Sequence, residues 1–139
     1  MRVIGFNFTK IAIERLKDSL KKEEELKINT QIDVSEIKEV KSNLLKTKEE
    51  ILMVVFSHKV NYEPGVAEIN LEGKVIIALP PKIVKEVLKQ WKKKKMSEDF
   101  RIPLFNLILK KSSLKALALE EELNLPLHIP LPSFKKEEK

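Results

Sequence analysis

ILMVVFSHKVNYEPGVAEINLEGKVIIALPP, residues 51–81, is where the fold is decided. Ile51 to Phe56 is apolar on both parities, as in a strand covered on both faces. From Phe56 onward His58, Val60 and Tyr62 keep one face going while Ser57, Lys59 and Asn61 wet the other, so the strand starts central and ends half exposed. Glu63-Pro64-Gly65 is a turn, Pro fixing φ and Gly supplying a positive φ. Beyond it Ala67, Ile69, Leu71, Gly73, Val75 and Ile77 hold one face of a second strand, with Glu68, Asn70, Glu72 and Lys74 opposite. Two alternating strands joined by so short a turn pair antiparallel. Ala67, Ile69 and Leu71 are expected to face the layer that holds the helices.

Upstream, Leu26, Ile28, Thr30, Ile32 and Val34 alternate with Lys27, Asn29, Gln31, Asp33 and Ser35, the period of a strand with one wet face. Ile37, Val40, Leu44 and Leu45 continue it less regularly before the polar run Lys46 to Glu50. Before the charged connection Asp18 to Glu25, Ile4, Phe6 and Phe8 carry one parity and Ile11 and Ile13 the other. One extra residue moves an apolar set to the opposite face, so a bulge or bend is expected near Lys10.

Downstream, the period changes at Leu79-Pro80-Pro81, because Pro suits the first turn of a helix. Val84, Val87, Leu88 and Trp91 recur at helical spacing opposite Lys82, Lys85, Lys89 and Lys92. That helix is expected to break up around Lys95 to Arg101. Pro103 should open a longer helix with Leu104, Leu107, Ile108, Leu114, Leu117 and Ala118 on its apolar stripe, ending near Leu123-Asn124. The segment from Leu125 to Pro132 holds Pro126, Pro130 and Pro132 and cannot be helical, yet is apolar enough to pack along the domain in extended form. Four strands and then two helices, without strand–helix alternation, define an α+β domain: a four-stranded antiparallel sheet with two helices packed on one face. Residues 1–134 form a single domain in this reading, and residues 135–139 a charged disordered tail.

A chain of 139 residues that is 42% apolar can bury one core. Charged residues reach 35%, but 27 Lys and Arg against 21 Asp and Glu leave +6, so most of the charge is mixed in sign. With no Cys, disulfides, thiolate catalysis and thiolate-ligated metals are out. High Lys and Glu with few Gln is the composition of a heat-adapted protein. No apolar run has the length of a membrane span and Met1-Arg2-Val3 opens into strand-like sequence, so the expected location is cytoplasmic, with no membrane insertion.

Candidate chemistry is sparse. His58 sits in a strand and His128 between prolines, with no ligand pair at short spacing, and both are expected to be partly buried polar groups. Ser57 and His58, adjacent on a strand, point to opposite faces and cannot act as nucleophile and base. Glu23 to Glu25 and Glu120 to Glu122 lie in charged runs, whose ordinary place is a solvated face. No phosphate loop can be built from Gly5, Gly65 and Gly73. No catalysis and no cofactor are expected. Lys89 with Lys92, Lys93, Lys94 and Lys95 is the densest charge feature and could track an RNA or ribosomal phosphate backbone; the plain alternative is the wet face of an amphipathic helix. Phe6, Phe8, Phe56, Trp91, Phe100, Phe105 and Phe134 are mostly core by spacing, leaving few rings for base stacking.

Three stretches carry a family resemblance. Glu68-Ile69-Asn70-Leu71-Glu72-Gly73-Lys74-Val75 is similar to the Glu-Val-x-x-x-Gly-x-Phe strand of the SecB family of protein-export chaperones and its wider superfamily. Phe105-Asn106-Leu107-Ile108-Leu109 resembles the opening of that family's long helix. Leu123-Asn124-Leu125-Pro126, through Pro130 to Phe134, resembles its closing Leu-Asn-Leu-x-Pro-x-Asn-Phe segment, with Ser133 in place of the last Asn. The family's Pro-Tyr-Ala-Arg stretch is not reproduced near Lys110 to Leu114, and the bacterial members are acidic where this chain is basic. The resemblance implies the fold, self-association as a dimer or tetramer through sheet edges and helices, and a surface that holds non-native polypeptide. Leu125, Leu127, Ile129, Leu131 and Phe134, with the first helix, are the candidate walls of such a surface. Closure of the core and a homo-oligomer interface are the competing uses of the same residues.

Overall fold

The structure is a computed structural model describing residues 1–18, 20–21, 23–41 and 48–137. The expectations for Leu44, Leu45 and the first part of the polar run after them, and for residues 138–139 of the tail, fall outside the described residues. Four strands come first, β1 (Arg2–Arg15), β2 (Lys27–Val40), β3 (Glu50–Glu63) and β4 (Ala67–Leu79), followed by α1 (Pro81–Trp91) and α2 (Glu98–Glu122). They form one antiparallel sheet in the order β1-β4-β3-β2, with both helices on one face: the α+β arrangement that the order of periodicities defined.

The β3–β4 hairpin pairs from Tyr62↔Ala67 to Glu50↔Leu79 without a shift in register. Gly65 takes φ 58° in its turn, where a positive φ is least costly for glycine. β2, β3 and β4 are a meander, whereas β1 lies beside β4, so the chain after β1 has to pass from one edge of the sheet to the other, a Greek-key order. The parity switch in β1 has its cause at Thr9, where the pairing shifts between Phe8↔Gly73 and Lys10↔Glu72. Phe6 and Phe8 before this bulge and Ile13 after it thereby all pack on the helix side. Two more bulges carry no advance signal, one between Val3 and Gly5 and one between Val34 and Glu36. The second of these brings Ile37 onto the core face.

Gly73 marks a close approach. A Cβ there would stand 2.5 Å from the Asn7 carbonyl oxygen and 2.6 Å from Cζ of Phe56. The bare backbone lets the Phe56 ring lie across β4 toward β1, where it meets Phe6 at 5.1 Å and Phe8 at 6.3 Å between centroids.

Helix α2 begins at Glu98, earlier than the expected Pro103, with the acidic Glu98 and Asp99 in its first turn, where negative charge meets the positive end of the helix dipole. Its buried ridge is Phe100, Leu104, Ile108, Ser112, Ala116 and Glu120, with Ser113 and Leu119 beside it, while Leu114 is 62% exposed and Ala118 is exposed. Four residues overshoot a helical turn by about 40°, so this ridge winds through roughly 200° along the helix. Its first half faces the sheet over Leu52, Val54, Phe56, Val75 and Ile77. Toward its C-terminal end, Ala116 and Leu119 share a second cluster with Val60, Tyr62, Ile69 and Leu71, and the winding ridge requires a further cover there. The chain beyond α2 supplies it.

Both helices end in the hydrogen-bond pattern of a Schellman motif. In α1, Lys95 N–H donates to Gln90 O and Lys94 N–H to Trp91 O, with Lys94 at φ 56°; in α2, Leu125 N–H donates to Glu120 O and Asn124 N–H to Glu121 O, with Asn124 at φ 52°. Arg15, the last residue of β1, donates Nη1–H to Leu123 O at 2.7 Å and so ties the sheet to the C-terminal end of α2.

Candidate functional site

The Asn124 turn sends the chain back along α2 and the end of β3. Leu125 is 5% exposed and packs with Val60, Tyr62, Ile69 and Leu119, so it belongs to the core. Leu127 is half-buried, Ile129 and Leu131 are 36% and 58% exposed, and Phe134 is fully exposed, unlike the other phenylalanines. A shallow groove with Glu121 and Asn124 on its rim brings Leu125, Leu127 and Leu131 together; Ile129 and Phe134 lie outside it. The five residues that sequence singled out thus grade from core to surface along one segment.

Beneath that segment lies a buried polar cluster that sequence reading missed. Glu120 is wholly buried, a correction to the solvated face expected for its charge run, and it accepts the His128 backbone N–H at 2.9 Å and the His128 Nδ1–H at 2.8 Å. The Tyr62 hydroxyl donates to Pro126 O at 2.5 Å. The Ser112 hydroxyl spends its proton on Ile108 O, so Oγ accepts from Nδ1–H of His58 at 2.7 Å. His58 is fully buried and the His128 side chain is 2% exposed, both deeper than the partial burial expected. Their rings meet edge to face with centroids 5.9 Å apart, and neither Nε2 has a hydrogen-bond partner among the described residues. Burial, and then the nearby His128, push the His58 imidazole down to about 4. Burial, followed by the negative charge of Glu120, pushes the Tyr62 phenol above the usual phenol range. The signal available in sequence was polar Ser112 and Glu120 at four-residue spacing from Leu104 and Ile108, on what is otherwise an apolar ridge.

Lys89, Lys92, Lys93, Lys94 and Lys95 are all exposed on the last turn of α1 and the turn that follows. The Lys94 ammonium sits 4.5 Å from the centroid of Trp91, the nearest ring on which a base could stack. At the far side of the sheet, β1 is an edge strand whose outer backbone groups have no partner strand among the described residues. Val3, Ile4 and Ile11 on it are 41%, 44% and 47% exposed. The opposite edge, β2, carries exposed Lys27, Asp33, Glu36, Lys38 and Glu39, the charges that keep an edge from pairing. Among the described residues no group of three or more His, Asp or Glu is placed to hold a metal ion, and no helix is long and apolar enough to cross a membrane.

No protein-family model matches the chain, and no curated protein matches it. Among solved structures it is similar to the SecB-like chaperone Rv1957 of Mycobacterium tuberculosis, in complex with a ChAD peptide from the Rv1956 HigA1 antitoxin. The TM-score is 0.48 at 9% sequence identity, over 99% of this chain and 92% of that chain.

Proposed function

We propose that this chain is a SecB-like holdase: it binds unfolded or non-native polypeptide without catalysis, self-associates, and has a link to protein export. The observation that carries this reading is the asymmetry of the sheet edges. β1 offers fourteen residues of edge strand on which Val3, Ile4 and Ile11 are exposed among the charges Arg2, Lys10, Glu14 and Arg15, whereas every exposed side chain of β2 is polar or charged. A long apolar edge in a small domain attracts another strand, since the main chain gives hydrogen bonds to any sequence and the flanking side chains give apolar contact. A client or a second copy of the chain fits that description equally. The exposed Ile129, Leu131 and Phe134 add apolar surface beyond α2, and the motifs of β4, α2 and the closing segment add the family resemblance.

The test is suppression of aggregation of a chemically denatured client. Ile11→Lys with Val3→Lys, and separately Leu131→Ser with Phe134→Ser, should weaken protection in variants shown by circular dichroism to be folded. Added salt should change client affinity little, because apolar burial drives the contact. The second reading, a basic RNA- or ribosome-associated protein, rests on the exposed cluster from Lys89 to Lys95. It would be favoured over the first if natively purified protein carries nucleic acid by its 260/280 absorbance ratio and shows no protection. Binding would then have to fall linearly in log K with log salt and weaken on changing Lys92 to Lys95 to Ser.

A further inference from the structure

The cluster under the C-terminal segment has one property that packing alone does not require: two imidazoles buried together, each with one nitrogen unpartnered among the described residues. Ser112 and Glu120 each take the Nδ1–H of one ring, so in the neutral rings both Nε2 atoms are bare lone pairs. A proton added to His58 would place an Nε2–H in a buried site where no acceptor among the described residues pairs with it. The alternative is to expose the ring, and the piece able to move is the segment itself. Beyond Leu125, which is anchored in the core, it is held by the Glu120–His128 contacts and by Tyr62 donating to Pro126 O, and it lacks strand or helix hydrogen bonds of its own.

We propose that buried His58 makes Pro126–Leu131 an acid-released strap, closed over the seam between β3 and α2 at neutral pH and lifting as His58 takes up a proton. The groups facing the pair set the sign. Tyr62 faces it from β3, Glu120 and Ser112 from α2, and His128 from the strap itself; the cross-strand neighbours of His58, Ile32 on β2 and Leu71 on β4, are uncharged. Arg15, at the root of the strap, donates to the Leu123 and Asn124 carbonyls. In the closed state His58 is held down to about 4; in the lifted state it meets water and returns to the ordinary 6.5. The lifted state therefore binds the proton more tightly. The closed state keeps its full advantage above pH 6.5 and loses it as the pH falls toward 4. Between pH 7.5 and 5.5 this single group shifts the closed–lifted equilibrium by about tenfold toward the lifted state. The upward shift of Tyr62 acts only in strong alkali. The strap stands independently of the polypeptide-binding reading.

The experiment is hydrogen exchange of the His128 amide, which is hydrogen-bonded to Glu120, taken relative to the free-peptide rate at the same pH. Its protection should fall about tenfold from pH 7.5 to 5.5 while β3 and β4 amides stay protected. In His58→Gln the fall should vanish. Should that variant not fold, the wild-type protein decides, since it has only two imidazoles to follow by nuclear magnetic resonance. Protonation of His58 in step with loss of strap protection supports the proposal. It is overturned by strap protection that does not change with pH, by a fall shared with the β3 amides, by a folded His58→Gln that keeps the fall, or by His58 titrating near 6.5 with the strap still protected.

Discussion

At Gly73 the absence of one carbon sets the packing of three strands. The Phe56 ring crosses the position a Cβ would fill, and the Asn7 carbonyl of β1 closes it from the other side. A side chain can turn away; a backbone oxygen held in a strand ladder cannot. Gly73→Ala should therefore cost about 1–3 kcal/mol through overpacking, seen as a lower urea midpoint at unchanged slope. Gly5→Ala is the matched control, because its Cβ would meet only Ile76, at an ordinary 3.8 Å. Equal midpoints for the two variants would mean that Phe56 and β1 yield freely. The glycine of the strand motif that resembles the chaperone family thus has a physical reason in this chain.

At the scale of elements, the strands were legible and the long helix was legible only in its first half. Alternation finds strands because one pleat face is wetter than the other along most of each strand, the buried first half of β3 excepted, and the Thr9 bulge shows as a change of parity between Phe8 and Ile11. Helical periodicity assumes one buried face. In α2 the buried ridge winds from the sheet toward the strap, so Leu114 looked like core and Glu120 like surface, and each is the opposite. Strand order was not legible either, since nothing local in β1 distinguishes β4 from β2 as its neighbour. The end of α2 was found near Leu123-Asn124, and the structure adds the reason: Asn124 tolerates the left-handed φ that turns Leu125 into the core. Asn124→Gly should leave stability nearly unchanged, whereas Asn124→Ala should cost about 1 kcal/mol, measured by thermal unfolding. An Ala variant as stable as the Gly variant would mean that the turn does not depend on backbone freedom.

For the whole molecule, the two sheet edges differ in kind, and association should follow the apolar one. Light scattering at micromolar concentration and moderate salt is expected to give a dimer or tetramer mass, and Ile11→Lys with Val3→Lys should shift it toward the monomer. A monomeric wild-type chain, or a charged-edge variant that associates unchanged, would remove β1 from that role. The Greek-key order carries a consequence in time. β1 leaves the ribosome first, yet its partner runs from Ala67 to Ala78, roughly 50 to 75 residues later in the chain. At about 5–20 residues per second the strand bearing Ile4, Phe6, Phe8 and Ile11 spends roughly 3 to 15 seconds as a nascent apolar segment with nothing of its own to pair with. Only the β2–β3 hairpin can close during that interval, so the strand made first cannot pair until the rest of the sheet has been synthesised. Until then every new copy is itself an extended, unprotected polypeptide in need of shelter.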